Sequence, residues 1–286
     1  MGFVANRLAF PKKGLAMDFT GYDPELENRD EIANTATPMA FSMRDFQAPE
    51  QIDPRPLCRH DRQGNMGACQ GFSLTNSGEY LWALHTGAMS NDRQFSQLFA
   101  YLESQRLHGL LGRDAGSTIN SGVKIAKDVG YLRESELPYR TPYPANARSI
   151  VTDGMRAKAC DFRIRSHTWL ESYDAIFQYL ASGSGAVHTG TLWNDSFYSQ
   201  SGVLESVNLR NGGGHATAWL GYSRRKDSKG RNYIWRLNSH QDSWTEIAPS
   251  VIDALCRHQW TSIVGISDLS TPGPRKVSWL ESRPLG

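Results

Sequence analysis

The sequence predicts an α+β chain: a helical half, then a half built on an antiparallel, β-barrel-like sheet, with a cleft where the two meet. Three observations carry that expectation. Between about residues 69 and 130, apolar residues recur at helical spacing. From about residue 185 onward come short runs rich in β-branched and aromatic residues, divided by Gly, Asn and Asp. Pro-rich "TPYPAN" at 141–146 stands between the two patterns.

Residues 1–45 are rich in Pro, Asp, Asn and charge and show little periodicity, so they read as an extended N-terminal arm. The folded body is expected over 46–267, with its helical half at 46–145 and its β half at 146–267. In the helical half, Phe72, Tyr80, Leu81 and Leu84 roughly share one face of a helix that begins near Cys69. Phe95, Leu98, Phe99 and Leu102 mark a second helix. Ser117 or Thr118 caps a third, which Gly130 closes. In the β half, Tyr173, Ile176, Phe177 and Leu180 share a helical face. Strands are expected at "AVHTGTLW", "SGVLESVNL", "HATAWLGYS", "RNYIWRLNS" and "WTSIVGISD". Residues 268–286 read as a C-terminal arm.

Composition excludes several classes of function. The 286 residues are 39% hydrophobic, enough to build a core. Net charge is +2, from 31 basic and 29 acidic residues, which is not the footprint of a nucleic-acid binder. The densest basic run, "SRRKDSKGR" at 223–231, reads as a solvated loop between strands. No apolar run is long enough to span a membrane. The N-terminal stretch lacks the apolar core of a secretory signal. Four cysteines without such a signal read as thiols rather than a disulfide framework. The expected setting is the cytoplasm, or a particle assembled there.

The chemistry concentrates at "DRQGNMGACQGFSLTNSGEYLWAL", residues 61–84, where a Gly-rich turn runs through Cys69 into a helix. A helix N-terminus carries partial positive charge and unpaired amides, and it eases ionisation of a thiol. A buried structural cysteine is the alternative reading of the same position. A nucleophile needs a base, and the base an orienting group. His215 starts an apolar strand after three glycines, Gly212 to Gly214, which let the backbone approach a neighbour closely. Asn238 ends the next aromatic-rich strand. Adjacent strands would bring His215 and Asn238 together, and the cleft would bring Cys69 to both.

Three stretches in order resemble the papain-like cysteine peptidases: "QGNMGACQGFS", "GGGHATAWLGYS" and "IWRLNSHQDSW". The intervening "SQLFAYLESQRLHGLLGRDAGSTINSGVKIAKDVGYLRESELPY" is similar to members from prokaryotes and viruses. The likeness spans roughly residues 40–266. It implies a papain-like fold and hydrolysis of peptide bonds through a Cys-His-Asn triad and a thioester intermediate, with no cofactor and no metal. Cys69 would be the nucleophile, His215 its proton partner and Asn238 the orienting residue. The Gln63 side-chain amide and the Cys69 backbone N–H would form the oxyanion hole. Gly116, Ser117 and Gly214 would bind an extended polypeptide substrate.

The sequence departs from that pattern at three places. Met66 stands where the family usually has a cysteine, and Gln70 where it has Trp. His240 replaces the Trp that shields the Asn–His bond, while the second Trp is kept as Trp244. The expected consequence is a more solvated His215–Asn238 bond. Two other functions fit the same sequence: an inactive papain-like module docked in a virion-like assembly through its two arms, and a cell-wall peptide hydrolase. The N-terminal arm could also be an inhibitory segment lying across the cleft. The pairs Cys58/His60 and Cys256/His258 lack a usual zinc spacing. His85 and His108 read as helix-end residues and His188 as a core histidine.

Overall fold

In the computed structural model, which describes residues 21–38, 47–88, 94–183, 185–199, 201–240 and 243–272, one helix organises the helical half. This is α2 (Cys69–Thr86), and every residue from Cys69 to Ala83 is buried. The expectation of one apolar face is therefore corrected. α2 lies against helix α3 (Gln97–Leu107) and against strands β2 (Gly185–Trp193) and β4 (Gly213–Lys226). A helix enclosed on all sides has no reason to carry a polar stripe. Its Gly71 lets it approach α3: a Cβ there would stand 2.7 Å from the Gln97 carbonyl oxygen.

Helix α3 begins later than the periodic run. The Ser96 side chain accepts from Phe99 N–H and caps it, while Phe95 lies outside and bridges to Arg133. Phe95 stacks between Trp82 and Tyr131, with ring centroids 5.2 and 4.7 Å away. Burying rings of this size stabilises by about 1.5–3 kcal/mol each. The third helix, α4 (Ile119–Lys124), is capped by Thr118 in a reciprocal capping box with Ser121. It runs into a π turn (Ile125–Val129) that ends at Gly130, with φ +102°. With Thr118 as the cap, the Ser117 backbone is left to line the cleft.

The β half holds a seven-stranded sheet in the order β1-β7-β2-β4-β5-β6-β3. Its remaining strands are β1 (Ser166–Trp169), β3 (Val203–Leu204), β5 (Asn232–Leu237), β6 (Trp244–Ile247) and β7 (Ser262–Ser267). All neighbours pair antiparallel except β3 with β6. The sheet is open, so the barrel-like expectation fails at closure: β1 and β3 form its two edges. Most of "SGVLESVNL" is not strand. Helix α6 (Tyr173–Ala181) falls where expected. Sequence reasoning missed α1 (Arg29–Thr35), α5 (Asp153–Ala159), β1, β6 and α7 (Pro249–Cys256). All are short, and none has the length over which a period declares itself.

The basic run at 223–231 forms the exposed end of β4 and a turn. Arg231 there bridges Asp227 and Asp253, so its charge is matched locally. No described helix is long and apolar enough to cross a membrane. All four cysteines are free thiols. Of the two arms, residues 1–20, 39–46 and 273–286 lie outside the described residues.

Candidate active site

Cys69 is the first residue of α2, after Ala68 at the N-cap. Its sulfur accepts a hydrogen bond from the backbone N–H of Ala216, 3.3 Å away, so it lies against the His215–Ala216 stretch of β4. His215 Nε2–H donates to Asn238 Oδ1 at 2.7 Å. The geometry follows from pairing: Ala218 is opposite Leu237 in the β4–β5 ladder, which brings the start of β4 beside the end of β5. The Gln63 backbone N–H donates to the Ser239 carbonyl at 3.0 Å. Its side chain gives one N–H to the Met66 carbonyl at 2.9 Å and accepts from Ser239 Oγ at 2.6 Å. Gln63, Cys69, His215 and Asn238 are all fully buried. The four residues singled out from sequence therefore meet at one place, where α2, β4 and β5 converge.

Gly116, Ser117 and Gly214 line the adjoining cleft, and Gly21 to Asp23 of the N-terminal arm lie in it. Ser117 N–H donates to the Gly21 carbonyl at 2.8 Å, and Asp23 N–H donates to the Ser117 carbonyl at 2.9 Å. Tyr22 thus pairs parallel to Ser117 on one wall and antiparallel to Gly214 on the other. Close approach needs glycine on the walls. A Cβ at Gly116 would stand 2.5 Å from the Gly21 carbonyl oxygen, and one at Gly214 would stand 2.3 Å from that of Tyr22. Gly21 itself is at φ +94°, and a Cβ there would collide with the carbonyl oxygen of Gly67. The Tyr22 ring fills a pocket against Gly190 and Ile119, with its hydroxyl 3.4 Å from Ser262 Oγ.

The fold has solved counterparts. Xylellain, a cysteine protease from Xylella fastidiosa, superposes with a TM-score of 0.71 at 19% identity, over 90% of this chain and 99% of that one. Procathepsin B S9 from Trypanosoma congolense gives 0.63 at 15% identity, over 88% of this chain and 87% of that one. Bromelain from Ananas comosus, in complex with the E64 inhibitor, gives 0.55 at 16% identity, over 77% of this chain and 99% of that one. The chain has the papain-like fold. No protein-family model and no curated protein matches the sequence.

Within this papain-like fold the arm is latched beyond the cleft as well. Glu27 accepts the backbone N–H groups of Ile119 and Asn120, at 2.7 and 3.0 Å. These are amides at the start of α4 that lack partners inside the helix. Burial pushes the Glu27 carboxyl up to about 7, against the pull of those two amides. The residue as a whole is half-buried. Glu31 pairs with Lys124 at 2.6 Å, further along the same helix.

The electrostatics of Cys69 follow from this cover. Burial pushes its thiol up to about 12, while the N–H groups of Ala216, Gln70 and Tyr22 pull it down. With the arm in place the site is shut off from water, and the uncharged thiol is favoured.

The structure also adds residues that sequence reasoning did not name, and it places His240, which stands at the family's shielding position, against His215. Trp193, at the end of β2, lies 4.4 Å from the His215 ring, centroid to centroid. His240 lies 4.3 Å from it. The expectation of a more solvated His215–Asn238 bond is thus overturned: both residues are fully buried, and Trp193 and His240 pack on the imidazole. Asp114 accepts the Gly67 N–H at 3.0 Å and the Tyr101 hydroxyl at 2.6 Å. Tyr101 in turn accepts the Gly116 N–H at 3.0 Å. One carboxylate thereby ties the loop before Cys69 to the wall that pairs with the arm. Ser239 follows Asn238 directly and Asp114 stands two residues before Gly116, so both were visible in the motifs. Trp193 had no such signal.

Three other histidines lie in or at the ends of secondary-structure elements. His188 is fully buried and shares a 2.7 Å bond with Ser73 Oγ; burial pushes its pKa down to about 3. His108 caps α3 and contacts Thr118 Oγ1 at 2.9 Å. His85 lies in the last turn of α2. Cys58 and Cys256 belong to different core clusters. Among the described residues no three His, Cys, Asp or Glu side chains converge as a metal site.

Proposed function

We propose that this chain is a cysteine peptidase held latent by its own N-terminal arm. The observation that supports it most is the convergence of Cys69, His215, Asn238 and Gln63 at the head of a cleft that already binds an extended strand. His215 Nε2–H is engaged by Asn238, which leaves Nδ1 as the nitrogen to exchange a proton with the thiol. Once the arm leaves, water and the helix N-terminus favour the thiolate–imidazolium pair.

The thiolate would then attack the carbonyl carbon of a bound peptide. The developing oxyanion would take hydrogen bonds from the Cys69 backbone N–H and the Gln63 side-chain amide. His215 would give its proton to the leaving amine, and a thioester would form on Cys69. Water, deprotonated by His215, would hydrolyse that thioester and restore the thiol. Substrate is expected to run along Ser117 and Gly214, where Gly21 to Asp23 now lie. The arm pairs parallel to Ser117. A substrate pairing antiparallel to the same wall would run the other way, so the arm blocks the cleft without offering itself for cleavage.

The test is labelling by a thiol-reactive peptide-like inhibitor, together with hydrolysis of a peptide library. Both are run on the full chain and on a chain lacking residues 1–28. The reading expects Cys69 to label far ahead of Cys58, Cys160 and Cys256, and faster without the arm. Equal labelling of the four cysteines, with no hydrolysis in either form, would turn the assignment toward a non-catalytic module.

A further inference from the structure

Beside the residues assigned to chemistry stands a second imidazole. The His240 ring contacts the His215 ring with centroids 4.3 Å apart and planes tilted by 36°. Its own position is held at several points. The Tyr198 hydroxyl meets His240 Nδ1 at 2.7 Å, and the two rings stack at 6.1 Å. The His240 backbone N–H donates to Asn238 Oδ1 at 3.3 Å, the same oxygen that holds His215. His60 Nε2 meets the His240 carbonyl oxygen at 3.1 Å. His215 is fully buried, whereas His240 is only part-buried.

We propose that His240 is the proton sensor of this site. It takes up a proton from solvent in mildly acidic solution and, by ring contact, destabilises the His215 imidazolium. This rests on the cysteine-peptidase reading for its consequence, but not for its geometry. Two unit positive charges at this separation disfavour each other by about fivefold in bulk water and by more than tenfold in the less polar surroundings of a partly buried site. The two rings therefore titrate as a coupled pair that readily carries one proton but not two.

The direction follows from exposure and bonding. His240 reaches solvent while His215 is fully buried, so a proton from water arrives at His240 first, and imidazole is the side chain suited to take it up in mildly acidic solution. The Tyr198 hydroxyl accommodates both of its forms. It donates to Nδ1 of the neutral ring and accepts from Nδ1–H of the charged one. When His240 gains its proton, His215 returns its own to the Cys69 thiolate, leaving a neutral imidazole and a thiol. One proton enters from water and one moves within the pair. The groups that described residues set around His240 are His215, the Tyr198 phenol and His60, with the Trp193 ring 6.4 Å away and the Arg236 guanidinium over that ring at 4.8 Å. Arg236 is a permanent cation, so it biases the pair the same way at every pH.

The test separates the ring pair from the peptidase reading. Histidine ring resonances are titrated by NMR in full-length Cys69→Ala, and in the same chain carrying H240Q or H240F. Removing His240 is expected to raise the His215 midpoint by about one pH unit. An unchanged midpoint in both double variants overturns the proposal; if one of them fails to fold, the other decides. In chains that keep Cys69, the acid limb of kcat/KM is expected about one unit lower in H240Q, read from the pH at half-maximum of each variant's own profile. If no chain hydrolyses peptide at any pH, the peptidase reading fails while the NMR titration still decides the coupling.

Discussion

Ser239 Oγ donates to Gln63 Oε1 at 2.6 Å, and this bond joins the loop before α2 to the end of β5. It orients the Gln63 amide so that its nitrogen faces the Cys69 side of the loop, where the Met66 carbonyl takes one N–H. Gln63→Ala is expected to lower kcat by about 10²–10³ with KM little changed, the loss typical of one oxyanion donor. Ser239→Ala leaves the donor in place but loosens its aim, so its loss in kcat should be smaller, about tenfold. Steady-state kinetics on one peptide substrate checks both. Equal losses would mean that Ser239 does more than orient Gln63.

Glu27 is the latch between arm and body. Glu27→Ala leaves the Ile119 and Asn120 amides without their acceptor, a loss of about 1–3 kcal/mol for buried groups. That corresponds to roughly 5- to 150-fold greater opening of the arm. The readout is the rate at which a peptide-like inhibitor labels Cys69. Thermal unfolding of the body should change far less than that rate.

The same carboxylate makes latching depend on pH. Docked, burial pushes the Glu27 carboxyl up to about 7; released into water, it returns to its ordinary value of 4.5. A group whose pKa is raised in the docked state contributes docking stability that is complete below 4.5 and is lost as pH rises through about 7. The arm should therefore loosen toward alkaline pH rather than acid. Glu27→Gln keeps an acceptor without a charge, so the ratio of its labelling rate to the parent's should fall as pH rises from 6 to 8, because only the parent gains opening. A constant ratio would remove Glu27 from the pH response.

Asp114 ties the cleft wall to the loop that carries Cys69. Through Gly67 it holds the loop that precedes Cys69, and through Tyr101 it holds the Gly116 amide. Asp114→Ala should therefore lower kcat and raise KM together, with kcat/KM down by about 10- to 100-fold. Tyr101→Phe keeps the Gly67 contact and breaks the Gly116 one, so it should raise KM and leave kcat nearly intact. The split between the two variants is the measurement.

Much of the site was legible because its signals are local. A cysteine after a Gly-rich turn, a histidine after three glycines and an asparagine ending an aromatic strand are each readable within about ten residues. The strand and helix types of the long runs followed from their periods. Short elements such as β6 and α7 did not, because four to eight residues carry too little pattern. The amphipathic reading of α2 was misled by a real feature. A helix enclosed by α3 and the sheet shows apolar and small residues on every side, and a few of them always align.

The sequence by itself singled out the candidate residues Cys69, His215, Asn238 and Gln63, their order along the chain and the α+β class, because those depend on residue type and local spacing. Only the tertiary structure decided that the sheet stays open, that Trp193 and His240 enclose His215, and that Gly21 to Asp23 lie in the cleft. Each depends on how distant segments meet or fail to meet: Tyr22 pairs with Gly214 across nearly two hundred residues, while the edge strands β1 and β3 do not pair. Such contacts depend on which surfaces the packed elements leave facing one another, and no local period encodes that.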